Sequence, residues 1–470
     1  MKTNFTLKLM LGFFMLMALP SCQSFNGLPE VLAVPTAPPL SGPRASVLGD
    51  SALAFQQNSS YYDVDLVPIS AGTGKIVSGY QPLNIGDSYQ YAFSQNREQM
   101  AIVSLGSKDC QSLCLHLLNL RTWKYSMPPI NLSKDASAFY SNLVFDPLGK
   151  KLAMVFDNGN NLSQLILIDL ILGKIISRLD VNYSPLLDAF TPNGSLVVWS
   201  TIKQSQLALI GHIALLNGNN LTVFWQQDLP QVSYGNDTLA ESADPTLSRY
   251  LDPATVFSPD SSKLYIVLAD EPKLLTIDLD RRSVSSIPIE PLRSMLERLL
   301  DSTTGVAYAK SLNGTIKTGL LSADGKYLFL IGQTWQAVKD KDGNWTSVPT
   351  PMGLQVIDVS NGTQVLSLVT QATDLALSPD GSMLFLYSWN TSTLSLPSTE
   401  LMDVKKLTIV NTLIGYYSPS LLLDGKIAWL YEDPQPDNSD HLAIYMPGAS
   451  QPLSQWSERY TDVMYWLEVP

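Results

Sequence analysis

Cys110 and Cys114 form a C-x3-C pair in KDCQSLCLH. Two sulfurs at that spacing could oxidise to a disulfide or stay as thiols, and the backbone between them decides. An extended strand holds residues i and i+4 about 13 Å apart, too far to bond, whereas a turn brings them together. The sequence leaves both states open. A structural zinc site would need a second cysteine pair, and the remaining cysteine is Cys22. Histidine is equally scarce. His116, His212 and His441 lie far apart in the chain, in segments that read as third strands of a repeated unit. They read as structural residues rather than as a converging metal or haem set. KDKDGNW, Lys339 to Trp345, and DNGNN, Asp157 to Asn161, carry some of the residues of a calcium loop. Without the later Glu of such a loop they read as hairpin tips. The chain has no G-x-S-x-G, no H-E-x-x-H and no phosphate-binding glycine loop. The expectation is no catalytic constellation, no metal centre and no cofactor.

The scattered carboxylates have another origin. Asp260, Asp324 and Asp380 each sit in a copy of one turn: VFSPDSSKLYIVL, LLSADGKYLFLIG and ALSPDGSMLFLYS. Further copies are AFSQNREQMAIVSL, VFDPLGKKLAMVF, AFTPNGSLVVWS and SLLLDGKIAWLY. Each joins an apolar pair to an apolar run through a short polar turn, and Asp-Gly or Asn-Gly accepts positive φ at little cost. Anchored at positions 93, 145, 190, 257, 321, 377 and 421, the copies recur at intervals of 52, 45, 67, 64, 56 and 44 residues. A second element repeats behind the first: QLILIDLILGKIISRL, KLLTIDLDRRSVSSIPI and GLQVIDVSNGTQVLSL. An Asp at the strand end suits an Asx-type turn. One unit therefore reads as inner strand, Pro-Asp-Gly turn, buried second strand, loop, Ile-Asp strand, turn and outer strand. Trp199, Trp389 and Trp429 share the second-strand position, as core residues should.

Repeats of this length, four strands each, are the signature of a β-propeller. The order LFLIG…LQVIDVSNGTQVLSLVTQATDLALSPDGSMLFLYS, within residues 328–388, resembles the YVTN family of β-propeller repeats and the wider group of bacterial WD40-like propellers. That group includes surface and periplasmic binding proteins, and related propellers include lactonases and quinoprotein dehydrogenases. The resemblance implies a fold and leaves the activity open. SALAF, YYDVDLVPI and GKIVSGYQPL, from Ser51 onward, look like three strands of a blade that lacks its inner strand. YTDVMYWLEV, Tyr460 to Val469, is a strand left over at the other end. Pairing the two would close the ring and remove exposed edges. The expected fold is all-β: an eight-bladed propeller by strand count, with seven the main alternative, closed by both termini in one blade.

The start of the chain differs from the rest. Lys2 and Lys8 flank the apolar run LMLGFFMLMAL, which is too short for a membrane span and reads as a secretion signal. It ends in LPSC, which resembles the bacterial lipobox and implies lipidation at Cys22. Residues 1–21 are then a signal peptide and 22–46, with five prolines from Gln23 to Ser46, a tether. Residues 47–470 form one propeller domain with insertions near 229–252 and 290–314. The first insertion is polar and reads as a loop. The second contains EPLRSMLERLLDS, in which Leu292, Met295, Leu296, Leu299 and Leu300 fall at helical spacing. Such a stripe either caps the propeller or docks a partner. A net charge of −12 without basic blocks argues against a nucleic-acid partner. The reading is an exported protein of the cell envelope, held to a membrane by its lipid. It acts as a non-enzymatic binding or scaffold module for a protein or glycan. An extracytoplasmic propeller enzyme of lactonase, glycan-acting or quinoprotein type is the alternative.

Overall fold

The computed structural model describes residues 51–467 apart from 58–63, 71–75, 106–109, 134–138, 158–162, 204–208, 239–247, 293–314, 342–344, 388–397, 422–427, 433–440, 446–453, 458–459 and the single positions 87, 97, 111, 183, 340, 379 and 415. The expected signal peptide, tether and Cys22 lie outside the described residues. So does the amphipathic segment beyond Leu292, with Met295, Leu296, Leu299 and Leu300. Among the described residues there is no helix; all regular structure is strand.

The strands form consecutive antiparallel meanders in a β-propeller arrangement. Four-stranded sheets cover 139–181, 254–288, 374–414 and 416–457, and the 88–133 sheet has its outer strand broken into Lys124–Tyr125 and Ile130–Ser133. The 184–238 and 315–368 meanders belong to one ten-stranded sheet, joined through Ser248–Asp252. A last sheet unites the two ends of the described chain: Tyr460–Leu467 pairs with Ser51–Gln57, from Ser51 opposite Leu467 to Gln56 opposite Tyr460.

Sequence composition tracks position within each sheet. Second strands are apolar on both faces because a neighbouring sheet covers each side: Met383–Tyr387 is buried throughout, and Leu196–Thr201 likewise. Outermost strands have more solvent and are more polar, as in Ser283–Pro288. The core is accordingly a series of layers between successive sheets. Trp199, Ile213, Val232, Leu264 and Ile277 fill the layer between the 184–238 and 254–288 sheets. Phe329, Val356, Leu384 and Met402 fill the one between 315–368 and 374–414. Each such side chain contributes about 1.5–3 kcal/mol by burial.

The insertion near 229–252 departs from the loop expected. Val223–Thr238 runs on as a 16-residue strand and pairs with Ser248–Asp252. Pro230 would break an ordinary ladder, but the register shifts there, with Gly211 opposite Leu229 and Ile210 opposite Ser233. A bulge is where a strand tolerates proline. Beyond it Val232 and Tyr234 are again buried.

Candidate functional site

The two ends of each sheet differ. At one end the first and second strands join by five-residue turns: 94–98, 146–150, 191–195, 258–262, 322–326 and 378–382. The Ser258, Ser322 and Ser378 hydroxyls donate to Asp260, Asp324 and Asp380. Each hydroxyl also accepts the N–H that opens the second strand, from Lys263, Tyr327 and Met383 at 2.8–2.9 Å. The repeated acids are thus engaged in fixing turns. Gly325 and Gly381 follow them with φ of 69° and 71°, and Ser261 takes φ 54° at the same position. Third and fourth strands join at this end too, through short turns. Among the described residues, the connections from second to third strand and from one sheet to the next start and finish at the opposite end. These vary from sheet to sheet, including the Ser248–Asp252 strand and a hairpin in which Gln333–Lys339 pairs with Trp345–Pro351. Lys339 pairs with Trp345, and most of the KDKDGNW segment between them lies outside the described residues. Variable connections on a fixed scaffold are where binding groups are usually carried.

Ionisable side chains with displaced titration occur at this variable end, on or beside three successive first strands. Asp252 precedes the first strand of the 254–288 sheet, Lys317 lies near the start of Thr315–Leu321, and Asp374 opens Asp374–Leu377. Burial raises the Asp252 carboxyl to about 6. Burial, and after it the charge of Asp252, pushes up the hydroxyls of Tyr234 and Tyr250. Tyr250 and Asp252, two apart on one strand, share a face, and Gly235 opposite Leu251 sets Tyr234 across from Asp252. Trp199 Nε1 donates to Tyr234 Oη at 2.9 Å, and Tyr234 also bonds the Thr255 side chain. Gly211 makes room for that indole: a Cβ there would stand 2.4 Å from Trp199 Cη2. The Lys317 ammonium donates to the Leu268 carbonyl of the preceding sheet. Burial lowers it to about 8, with Asp270 opposing. Asp374 is raised by burial against the help of the Leu375 N–H and Tyr387. Half-buried groups of both signs, with the exposed Tyr250 on the same face, can hold a polar or charged ligand, and a carboxyl near 6 can exchange a proton close to neutral pH.

The residues singled out in the sequence lie elsewhere. His116, His212 and His441 all fall on third strands, as expected. His116 is buried beside Tyr125, and His212 Nδ1 is 2.7 Å from Asp228 Oδ1. Among the described residues no three His, Cys, Asp or Glu side chains group as metal ligands. Cys110 and Cys114 have Cα atoms 6.3 Å apart with their sulfurs in bonding contact, so the chain turns between them. A small cleft at the turn end, with an empty volume of about 280 Å³, is lined by Thr191, Asn193, Phe224, Asp280 and Arg282. Its side chains engage one another: Thr191 Oγ1 donates to Asn193 Oδ1, Asn193 Nδ2 donates to Asp280, and the Arg282 guanidinium lies 5.0 Å from the Phe224 ring centroid. Asp252, Lys317, Tyr250 and Asp374 were missed by sequence reasoning because they stand outside the repeated turns. The one available signal was register: counted back from each turn, Asp252, Lys317 and Asp374 are charged residues near or just before the start of a first strand.

No family model and no curated protein matches the chain. Solved structures do. A structure described as dihydro-heme d1 dehydrogenase NirN in complex with DHE matches at a TM-score of 0.52 and 15% identity, over 89% of this chain and 75% of that one. Apo AztD from Citrobacter koseri matches at a TM-score of 0.51 and 11% identity, over 88% of this chain and 97% of that one. At such identities the likeness extends to the fold alone: like those two, the chain is a β-propeller.

Proposed function

We propose that the chain is an exported, lipid-anchored β-propeller of eight blades that works as a non-enzymatic binding or scaffold module. Its partner, a protein or glycan, is taken on the variable face. The observation that carries this reading is the contrast between the two ends: uniform turns at one, and at the other long connections with exposed Tyr250 and Val348. The eighth blade is the sheet in which Tyr460–Leu467 supplies the inner strand to Ser51–Gln57. Cys22 carries the lipid, and Cys110 and Cys114 form a disulfide suited to an oxidising compartment.

Two experiments test the proposal. Metabolic fatty-acid labelling should mark the wild type and not Cys22→Ala; an unlabelled wild type would remove the anchor. Capture from solubilised membranes should recover a partner that Tyr250→Ala together with Val348→Ser fails to retain. Equal recovery by wild type and variant would remove the variable face. The alternative, an extracytoplasmic propeller enzyme of lactonase, glycan-acting or quinoprotein type, is favoured by one observation, the half-buried Asp252, Lys317 and Asp374 on neighbouring first strands. Turnover of a lactone or glycan that Asp252→Asn abolishes would establish it.

A further inference from the structure

The repeat is its own control, and the 139–181 sheet breaks it twice at the turn end. The third residue of the five-residue turn is Asn96, Asn193, Asp260, Asp324 or Asp380 in other sheets, and here it is Leu148. Between third and fourth strands the tip pair is Arg121–Thr122, Asp280–Arg281, Ser360–Asn361 or Lys405–Lys406 elsewhere, and here it is Ile171–Leu172. These three aliphatic side chains are exposed by 73%, 72% and 61%. The Leu170 N–H donates to the Lys150 carbonyl, so the two turns lie side by side. Neither turn needs an aliphatic residue. Asp146 accepts the Lys150 and Lys151 N–H groups, and Asp169 accepts those of Ile171 and Leu172, so polar tips would fold as well.

We infer that Leu148, Ile171 and Leu172 form a wedge that enters the interface of an anionic lipid bilayer. Two features select a membrane as the occupant. Each aliphatic tip is followed by Gly-Lys, and Lys150 and Lys174 are both exposed. The neighbouring Asp146 and Asp169 are occupied by backbone N–H groups. The patch is therefore apolar at its tip and basic at its rim within a chain of net charge −12, the pattern of interfacial anchors. The second feature is where the chain enters the ring. Ser51 pairs with Leu467 at the end of an inner strand, so the first described strand begins at the turn end of its sheet. Sheets of a propeller are related by rotation about one axis, and equal ends share a face. Ser51 thus lies at the face that bears the wedge, and the proposed anchor at Cys22 precedes it in the chain. This part rests on the anchor proposed above.

The test uses the full chain, purified from membranes and reconstituted in phosphatidylethanolamine–phosphatidylglycerol vesicles. A polarity-sensitive fluorophore is placed through Leu172→Cys, and separately through Lys405→Cys at the equivalent tip of the 374–414 sheet; unmutated protein gives the labelling background. The probe at 172 should shift to the blue and be quenched by lipid-borne nitroxide severalfold more than the probe at 405. On zwitterionic vesicles the difference should shrink severalfold. Water-like emission at both sites would overturn the wedge. So would an equal blue shift at 172 without lipid, which would indicate a second copy of the chain or another protein contact. Fatty-acid labelling of the same preparation separates the two claims. Labelled protein with an unshielded 172 probe loses the wedge and keeps the anchor. Unlabelled protein that still shields 172 on added vesicles keeps the wedge and loses the anchor.

Discussion

Asp252→Asn tests whether burial, rather than a hidden partner, governs the most displaced carboxyl of the variable face. The unfolded carboxyl ionises near 3.8 and the folded one near 6. Between these values the folded state holds the proton more tightly, so ionisation costs folding free energy. Stability should fall as pH rises through this window and level off above it. A gap of about two pH units corresponds to about 3 kcal/mol as a ceiling, and partial solvent access reduces the expected effect to about 1–2 kcal/mol. Asn keeps the shape and removes the titration. Thermal unfolding of wild type and Asp252→Asn should coincide near pH 4, and the variant should melt a few degrees higher from pH 6.5 upward. A gap of equal size at both pH values would assign the effect to packing. A variant that melts lower above pH 6 would show that the carboxylate has a stabilising partner, and the burial argument would fail.

Lys317→Met should remove the complementary rise in stability between pH 8 and 10.5, since the folded ammonium loses its proton near 8 and the unfolded one near 10.5; urea midpoints across that range read it directly. Gly381→Val should cost at least about 1–2 kcal/mol, because φ is 71° and a Cβ would stand 2.5 Å from Ala323 Cβ. Ser261→Gly, at the same turn position with φ 54°, should raise the melting temperature slightly or leave it unchanged. Gly211→Ala should cost about 1–3 kcal/mol by displacing the Trp199 indole, seen as a shift in tryptophan emission together with a lower melting temperature. Deleting residues 460–470 strips the partner from Ser51–Gln57 and should give aggregation on gel filtration; a monomer as heat-stable as wild type would contradict the closing strand.

Much of the architecture was legible because propeller repeats write it locally. Ser-Pro-Asp-Gly encodes a turn whose hydroxyl and carboxyl fix the next strand, and Ile-Asp marks the end of three of the third strands. The closing strand was legible from what was missing, three strands without an inner one and a surplus strand far away. The hairpin at 229–252 was not, since Pro230, Gly235 and a polar run imitate a loop, yet residues 235–238 pair with Ser248–Asp252, whose end also meets Thr315 and Ile316 of the next meander. The site was the least legible part. Asp252 and Lys317 owe their character to burial between sheets, and no local motif announces burial. The C-x3-C pair stayed open for the same reason, because a turn of the chain, not a spacing, brings the two cysteines within 6.3 Å.

The pairing of Ser51–Gln57 with Tyr460–Leu467 also sets a clock. The first strand leaves the ribosome about 400 residues before the partner that covers its edge, which at ordinary synthesis rates is about 20–80 s. For that interval the chain is an open horseshoe with one strand edge on offer to any passing β-segment. A protein built this way depends on whatever shields that edge until the last strand arrives. Substitutions in Tyr460–Leu467 should therefore reduce yield during synthesis more than they reduce the stability of rings already closed.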